Sequence, residues 1–186
     1  AAAATDAGMT SYHAVVGMGQ VKPGMKVGIV GVGGLGQIGA RIAVLQGCEV
    51  YASSRNPVAR EKALALGCKE VVETVDQLAK YDLEVIIDFA GSGDTSAMAL
   101  EAVGYRGRVV VVGMAKLEIV INAMTLILKQ AEIVGSNGGN AHDIAECYKL
   151  MASGQLDPEI IEIGFEEIGQ GLEKLKKGGI KGRMVA

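Results

Sequence analysis

Apolar residues in this chain alternate between short continuous runs and longer stretches where they recur at helical spacing. The continuous runs predict strands near residues 26–31, 49–53, 70–72, 84–89, 108–113 and 132–135. The stretches between them predict helices near residues 35–46, 58–66, 75–79, 95–103, 124–129 and 142–152. Strands without polar alternation, such as the one holding the valines at 109–112, are typical of sheets covered on both faces. The pattern therefore predicts an α/β fold with a doubly wound, parallel, six-stranded sheet.

The two ends of the chain extend this pattern. Residues 9–16 have helical spacing and follow Thr5 and Asp6, which are favourable helix N-cap types. Residues 160–163 predict a short strand and residues 166–177 an amphipathic helix. The first residue is not methionine, and the last residues resemble an unfinished strand. We therefore interpret residues 1–186 as a single domain excised from a longer protein.

Composition narrows the class of protein. A hydrophobic content of 49% with 21% charged residues is ordinary for a globular domain. The net charge of −3, without a basic stripe, argues against nucleic acid as a partner. No apolar run reaches the ~18 residues that span a bilayer, and no secretion signal opens the chain, so no membrane association is expected. Three widely spaced cysteines suggest a reducing compartment, and we expect a cytoplasmic location.

The first predicted strand leads directly into Gly31-x-Gly33-x-x-Gly36 and then a predicted helix. Gly31 permits a sharp turn, Gly33 lacks a side chain that would block a pyrophosphate, and Gly36 permits close packing of helix on strand. In this strand–turn–helix context the motif is the dinucleotide fingerprint of the Rossmann fold. Residues 31–36, including Gly34 and Leu35, are predicted to hold the pyrophosphate at the helix N-terminus. The alternative is a glycine-rich turn without a ligand.

The end of the second strand bears on the choice of dinucleotide. An NAD site places an acidic residue there to bind the ribose hydroxyls, roughly 20 residues after the first glycine. This chain instead has Ser53, Ser54 and Arg55, with no acid until Glu61. Serine hydroxyls can donate to a 2′-phosphate and a guanidinium can neutralise it, so NADP(H) is predicted over NAD(H). The alternative for Arg55 is a solvated turn residue. Arg60, one turn into the next predicted helix, is a further candidate to bind this phosphate.

Several short motifs, taken in order and spacing, resemble the coenzyme-binding domain of the medium-chain, zinc-type alcohol dehydrogenases. The resemblance covers nearly all 186 residues. It rests on Asp6-Ala7-Gly8-Met9-Thr10, Lys22-Pro23-Gly24, the glycine motif, Asp88-Phe89-Ala90-Gly91, and segments 107–113, 121–124, 132–136 and 182–185. It implies a Rossmann domain of a two-domain oxidoreductase whose N-terminal catalytic domain is absent from this chain.

The resemblance also implies a metal site in the parent enzyme. Asp6 matches the position of a catalytic zinc ligand, which many members fill with cysteine and some NADP-linked secondary alcohol dehydrogenases fill with aspartate. Carboxylate is an accepted zinc ligand. The other ligands belong to the N-terminal domain, so this chain alone is expected to bind little or no zinc. The alternative is that Asp6 only caps a helix; His13 and His142 are too distant in the pattern to complete a site.

Further roles follow from the resemblance by position. Thr10 matches a residue that contacts the nicotinamide end, and Val112 and Gly113 match the backbone that lines the nicotinamide pocket. Arg183 matches an arginine that reaches the pyrophosphate. Asp88, at the end of a strand, either lines the cleft or only accepts hydrogen bonds from loop N–H groups.

The implied activity is hydride transfer between NADP(H) and an alcohol, aldehyde or ketone, with zinc polarising the substrate oxygen. This chain would supply the cofactor half and is expected to bind cofactor without turnover. One alternative is a zinc-free quinone or enoyl reductase of the same superfamily, which has no use for a carboxylate at Asp6. Another is a non-catalytic NADPH-binding module. A methyltransferase is disfavoured by the full glycine motif and the missing acid.

Residues 118–121 form a short apolar run outside the six predicted core strands. In the family that the chain resembles, this segment pairs with its two-fold mate. An unpaired apolar edge strand would be an aggregation hazard in a monomer, so a homodimer through Glu118–Ile121 is predicted. The alternative is a strand covered within its own chain.

Overall fold

A computed structural model describes residues 2–178, 180 and 182–186. Its main sheet contains Lys26–Val30 (β1), Glu49–Ser53 (β2), Glu70–Val72 (β3), Leu83–Asp88 (β4), Val103–Val111 (β5) and Glu132–Gly135 (β6). The strand order is β3-β2-β1-β4-β5-β6, and every neighbouring pair is parallel. This topology confirms the predicted doubly wound α/β sheet.

Helices cover both faces of this sheet. They are the N-terminal helix at residues 4–18 (α1), Gly34–Leu45 (α2), Pro57–Ala65 (α3), Asp94–Ala102 (α4), Ala123–Lys129 (α5) and Ala141–Ala152 (α6). Polar side chains fix three of these starts, because Asn56 caps α3 ahead of Pro57, Asn122 caps α5, and Asn140 and Asp143 form a capping box on α6.

The centre of the sheet is the pair formed by β1 and β4. Val27 aligns with Val85 and Val30 with Asp88. Both strands are almost entirely buried, which explains their continuous apolar sequences. The connections from these two strands leave in opposite directions, so a crevice opens between their carboxyl ends, where doubly wound sheets bind ligands.

The N-terminal helix α1 is continuous but changes its winding. It is π-helical over Ala4–Gly8, α-helical over Met9–Tyr12 and π-helical over His13–Met18. The alternative that Asp6 caps this helix is wrong, because the helix begins before Asp6 and its N-cap, Ala3, has no side-chain cap. Asp6 therefore lies in the first turn, with its carboxylate directed to another partner.

The C-terminal segments form a second, smaller unit. Ile160–Glu162 (β7) and Arg183–Val185 (β8) pair in parallel, and Ile168–Lys177 (α7) lies between them in sequence. The strand and the amphipathic helix predicted there are both confirmed. None of the helices within the described residues is long and apolar enough to span a membrane.

Two predicted elements differ in the structure. The helix predicted at 75–79 is a 3₁₀ helix, Asp76–Tyr81. The strand predicted at 118–121 is wrong for the single chain, because residues 112–122 have no helix or strand and Leu117 and Val120 are 85% and 88% exposed. A strand requires a neighbour to share its hydrogen bonds, and the described residues supply none at this segment.

Candidate dinucleotide-binding site

The three motif glycines meet three different steric demands at the carboxyl end of β1. Gly31 has φ +83°, a conformation that favours glycine. A Cβ on Gly36 would lie 1.8 Å from the carbonyl oxygen of Gly31, so only glycine allows helix α2 to pack this close to the strand. A Cβ on Gly33 would have no atom within 4 Å. The space beside Gly33 is therefore open to a ligand rather than filled by the fold.

The N-terminus of α2 is suited to bind an anion. Its N-cap residue, Gly33, provides no side-chain cap, and the carbonyl oxygen of Gly33 already accepts the Gln37 N–H at 3.0 Å. The first-turn N–H groups, including those of Gly34 and Leu35, have no partner within the helix geometry. Together with the helix dipole they offer a diphosphate both hydrogen bonds and favourable charge, so these residues fit the predicted pyrophosphate.

Arg183 lies beside this loop because β8 ends the chain next to α2. Its Cδ is 3.1 Å from the position of a Cβ on Gly34. Its guanidinium also forms an ion pair with the carboxylate of Asp6 on α1. The structure thus brings together Asp6, Arg183 and the glycine loop, which are distant in sequence.

The described residues do not by themselves fit a zinc site. In that part of the chain, no group of three His, Cys, Asp or Glu side chains could hold a metal ion. Asp6 is paired with Arg183, and His13 Nδ1 lies 3.0 Å from Asp143 Oδ2. His142 lies in the first turn of α6, where its main-chain N–H donates to Asn140 Oδ1. Neither histidine lies in a cluster with Asp6.

The end of β2 presents the residues predicted to select the dinucleotide. Ser53 is 2% exposed, Ser54 is half-buried and Arg55 is exposed. Ser54 Oγ accepts the Asn56 N–H at 3.3 Å, and the Ser54 N–H donates to Val72 O at 3.0 Å. Because β1 and β2 are parallel, this loop lies at the same edge of the sheet as the glycine loop.

Asp88 serves the fold at this edge. Its carboxylate is fully buried and accepts hydrogen bonds from main-chain N–H groups of Ala90 and Gly91 and from hydroxyls of Thr95 and Ser96, at 2.6–3.0 Å. These donors match the second interpretation of Asp88, in which it satisfies loop N–H groups. The carboxylate fixes the turn between β4 and α4.

The residues predicted at the nicotinamide end lie beyond β5 and on α1. The N–H groups of Val112 and Gly113 donate to Asp88 O at 3.0 and 3.1 Å. Thr10 is half-buried on α1. The neighbouring Ser11 is fully buried and donates from Oγ to Leu35 O at 3.0 Å, which anchors α1 to the first turn of α2.

Sequence reasoning missed Ser11 and Ser136. Ser136 follows β6, and its hydroxyl is buried without a hydrogen-bond partner among the described residues. It lies at the same edge as Val112 because the Ser136 N–H donates to Val111 O. A buried hydroxyl without a partner costs about 1–3 kcal/mol, which a ligand group can recover. Ser136 ends segment 132–136, which served only for the family resemblance, and Ser11 lies just outside the motif at residues 6–10, so neither was identified as a site residue.

The cysteines do not contribute chemistry to the site. Burial raises the pKa of Cys68 to about 12. Burial, with smaller effects of nearby carboxylates, raises the pKa of Cys48 and of Cys147 to about 11. All three thiols are therefore protonated at neutral pH and are poor nucleophiles and metal ligands.

A tight glycine turn, an uncapped helix N-terminus and a crevice between β1 and β4 define a dinucleotide-binding α/β domain. A family model described as zinc-binding dehydrogenase matches residues 34–153. The chain belongs to this family, and it has the fold of the NAD(P)-binding domain of the medium-chain alcohol dehydrogenases. The resemblance inferred from sequence is confirmed.

Individual relatives give the same result. The chain is 27% identical to cinnamyl alcohol dehydrogenase 8 of Arabidopsis thaliana over 184 residues, covering 96% of this chain and 51% of the relative. Acetophenone reductase from Geotrichum candidum, solved in complex with NAD, superposes with a TM-score of 0.91 at 32% identity, over 98% of this chain and 54% of that one. CAD from Helicobacter pylori, complexed with NADP(H), superposes with a TM-score of 0.83 at 27% identity, over 96% and 52%.

The chain spans about half the length of the curated relatives it matches. The bound cofactors of the two structural neighbours are NAD in one and NADP(H) in the other. Both are nicotinamide dinucleotides, and the two neighbours differ in which form they bind.

Proposed function

We propose that residues 1–186 form the NADP(H)-binding domain of a longer, zinc-dependent alcohol dehydrogenase. The observation that carries this proposal is the juxtaposition of an open glycine loop with Ser53, Ser54 and Arg55 at one edge of the sheet. The loop after β2 has no carboxylate that would repel a 2′-phosphate. The Arg55 side chain in that loop is exposed and available to bind the phosphate.

The proposal assigns each part of the dinucleotide to residues of this chain. The N–H groups at residues 33–36 and the Arg183 guanidinium would hold the diphosphate. Ser53, Ser54 and Arg55 would hold the adenosine phosphate, and Thr10, Val112 and Gly113 would line the nicotinamide end. When bound, the nicotinamide would exchange a hydride with an alcohol or carbonyl substrate. This chain orients that ring, and the chain alone would not turn over substrate.

The zinc assignment concerns the longer protein. Asp6 would become one ligand there, and it would have to give up its ion pair with Arg183. An exposed pair of this kind contributes only about 0–1 kcal/mol, so the exchange is energetically accessible. Two alternative functions remain testable on the longer protein. A zinc-free reductase of the same superfamily would contain no stoichiometric metal, which zinc analysis measures. A non-catalytic module would bind NADPH without turnover, which an alcohol-oxidation assay measures.

Replacing Arg55 with alanine tests the cofactor preference. We expect the dissociation constant for NADPH to rise about ten- to a hundredfold, because one charge-assisted hydrogen bond to phosphate contributes about 1.5–3 kcal/mol. The dissociation constant for NADH should change little. Isothermal titration calorimetry with both cofactors measures the effect.

Arg106→Ala is the matched control for this experiment. Arg106 is also exposed, but it lies in the amino-terminal half of β5, at the opposite edge of the sheet. Its removal changes the net charge by the same amount and should leave NADPH affinity unchanged. Equal affinity of the unsubstituted chain for NADPH and NADH would contradict the proposed preference.

The chain is further proposed to form a homodimer through the segment around Glu118–Ile121. Apolar side chains are concentrated there and on the adjacent α5: Leu117, Val120, Met124, Ile127 and Leu128 are each at least 62% exposed. A two-fold mate would cover them and would give the segment a strand partner.

Val120→Glu should therefore shift the chain from dimer to monomer in light scattering, because a carboxylate in an apolar interface has no partner. Leu64→Glu places the same change at an exposed leucine on α3 and should leave the dimer intact. A monomeric unsubstituted chain at high concentration would refute the interface.

A further inference from the structure

Arg60 makes an unusual set of contacts for an arginine on a surface helix. It is the fourth residue of α3 and is half-buried. Its Nη1 donates to the main-chain carbonyl oxygen of Ser54 at 2.9 Å and to that of Arg55 at 3.1 Å. The side chain therefore folds back over the loop that connects β2 to α3.

These two contacts add carbonyl acceptors to the hydrogen bonds of this loop. The other hydrogen bonds of this loop are donated by main-chain N–H groups. The Ser54 N–H donates to Val72 O, the Asn56 N–H to Ser54 Oγ, and the Val58 N–H to Asn56 Oδ1. All of these fix N–H groups. Arg60 instead holds two carbonyl groups, that of the Ser54–Arg55 peptide unit and that of the Arg55–Asn56 peptide unit, so it restrains both peptide units that flank the Arg55 Cα.

We propose that Arg60 is a positioning residue for nucleotide specificity: by holding the carbonyl groups of Ser54 and Arg55, it presents the side chains of these two residues to a phosphate monoester on the ribose. The inference rests on the proposed NADP(H) function and adds to it. A carbonyl oxygen that already accepts a charge-assisted hydrogen bond from Arg60 is held away from an incoming anion, and the second guanidinium raises the positive potential of the loop.

Arg60→Met tests the proposal, because methionine retains an apolar stem and removes the donors. We expect this substitution to weaken NADPH and 2′,5′-ADP binding about tenfold and NADH binding less than about twofold, in calorimetric titrations. Arg60→Lys, which retains the charge and one donor group, should recover part of the loss. Thermal unfolding of each variant accompanies the titrations, and NADH binding serves as the internal control for a folded site.

A double-mutant cycle separates positioning from direct phosphate contact. If Arg60 acts through Ser54 and Arg55, then Arg60→Met should have a much smaller effect in an Arg55→Ala background than in the unsubstituted chain. Full additivity of the two substitutions would overturn the positioning role. An unchanged NADPH-to-NADH preference in Arg60→Met, or an equal loss of both cofactors, would also overturn it. Failure of the unsubstituted chain to prefer NADPH would instead contradict the underlying NADP(H) proposal.

Discussion

Replacing Gly33 with aspartate is expected to abolish dinucleotide binding while preserving the fold. A Cβ at this position meets no atom within 4 Å, and the backbone of Gly33, with φ −90° and ψ −158°, is extended and accessible to any residue. Aspartate is a favourable N-cap, so the stability of the chain should change by less than about 1 kcal/mol or rise. Its carboxylate would occupy the α2 N–H groups and repel a diphosphate, with an expected loss of affinity of about a hundredfold or more for both NADPH and NADH.

Two further variants make this result interpretable. Gly169→Asp introduces the same side chain at another open glycine, on α7, and should leave affinity unchanged. Gly36→Ala should lose both affinity and stability, because its Cβ would collide with the Gly31 carbonyl at 1.8 Å. Calorimetry for binding and urea unfolding for stability provide the two readouts. Retained cofactor affinity in a folded Gly33→Asp chain would show that the glycine loop does not bind the diphosphate.

The sequence predicted the fold well because its central strands are buried on both faces. Such strands have continuous apolar runs between glycine-rich turns, and the alternation with helical periodicity leaves few topologies other than a doubly wound parallel sheet. The prediction was weakest where local sequence does not determine the structure. The run at 118–121 has strand-like residues, but whether it forms a strand depends on a partner outside the described chain.

The residues of the candidate site also fall into two groups, those that a local motif identifies and those that only the folded chain brings together. Gly31 and Gly36 were identified because each meets a backbone or packing demand that only glycine meets there, and Gly33 because the absence of a side chain leaves room for a ligand. The Asp6–Arg183 ion pair joins residues separated by 177 positions, and no local pattern predicts it. Contacts such as Ser11 Oγ to Leu35 O arise from the packing of α1 on α2, which is a tertiary event. Local motifs therefore locate the site, whereas the packing of the chain determines how its side chains are held.

Replacing Asp88 with alanine is expected to cause the largest loss of stability among these variants. The buried carboxylate accepts four hydrogen bonds, from the Ala90 and Gly91 N–H groups and the Thr95 and Ser96 hydroxyls. Its removal would leave buried donors unsatisfied, at a cost of about 3–5 kcal/mol in the free energy of unfolding. That cost is a large fraction of the 5–15 kcal/mol typical of a domain, so urea unfolding should begin at much lower denaturant.

Asp88→Asn and Asp94→Ala separate the structural role of Asp88 from a direct role in binding. Asparagine keeps the shape and one acceptor oxygen, so its stability should lie between those of the unsubstituted chain and Asp88→Ala. Asp94 is exposed in the first turn of α4, and its removal should cost only about 0.3–1 kcal/mol through the helix dipole. If Asp88 lined the cleft and contacted the cofactor directly, Asp88→Asn would lose NADPH affinity without losing stability. Because its oxygens already accept hydrogen bonds from the β4–α4 turn, we expect Asp88→Asn to lower the free energy of unfolding more than it lowers NADPH affinity. Any loss of affinity would follow indirectly, from loosening of the turn that supports Val112 and Gly113.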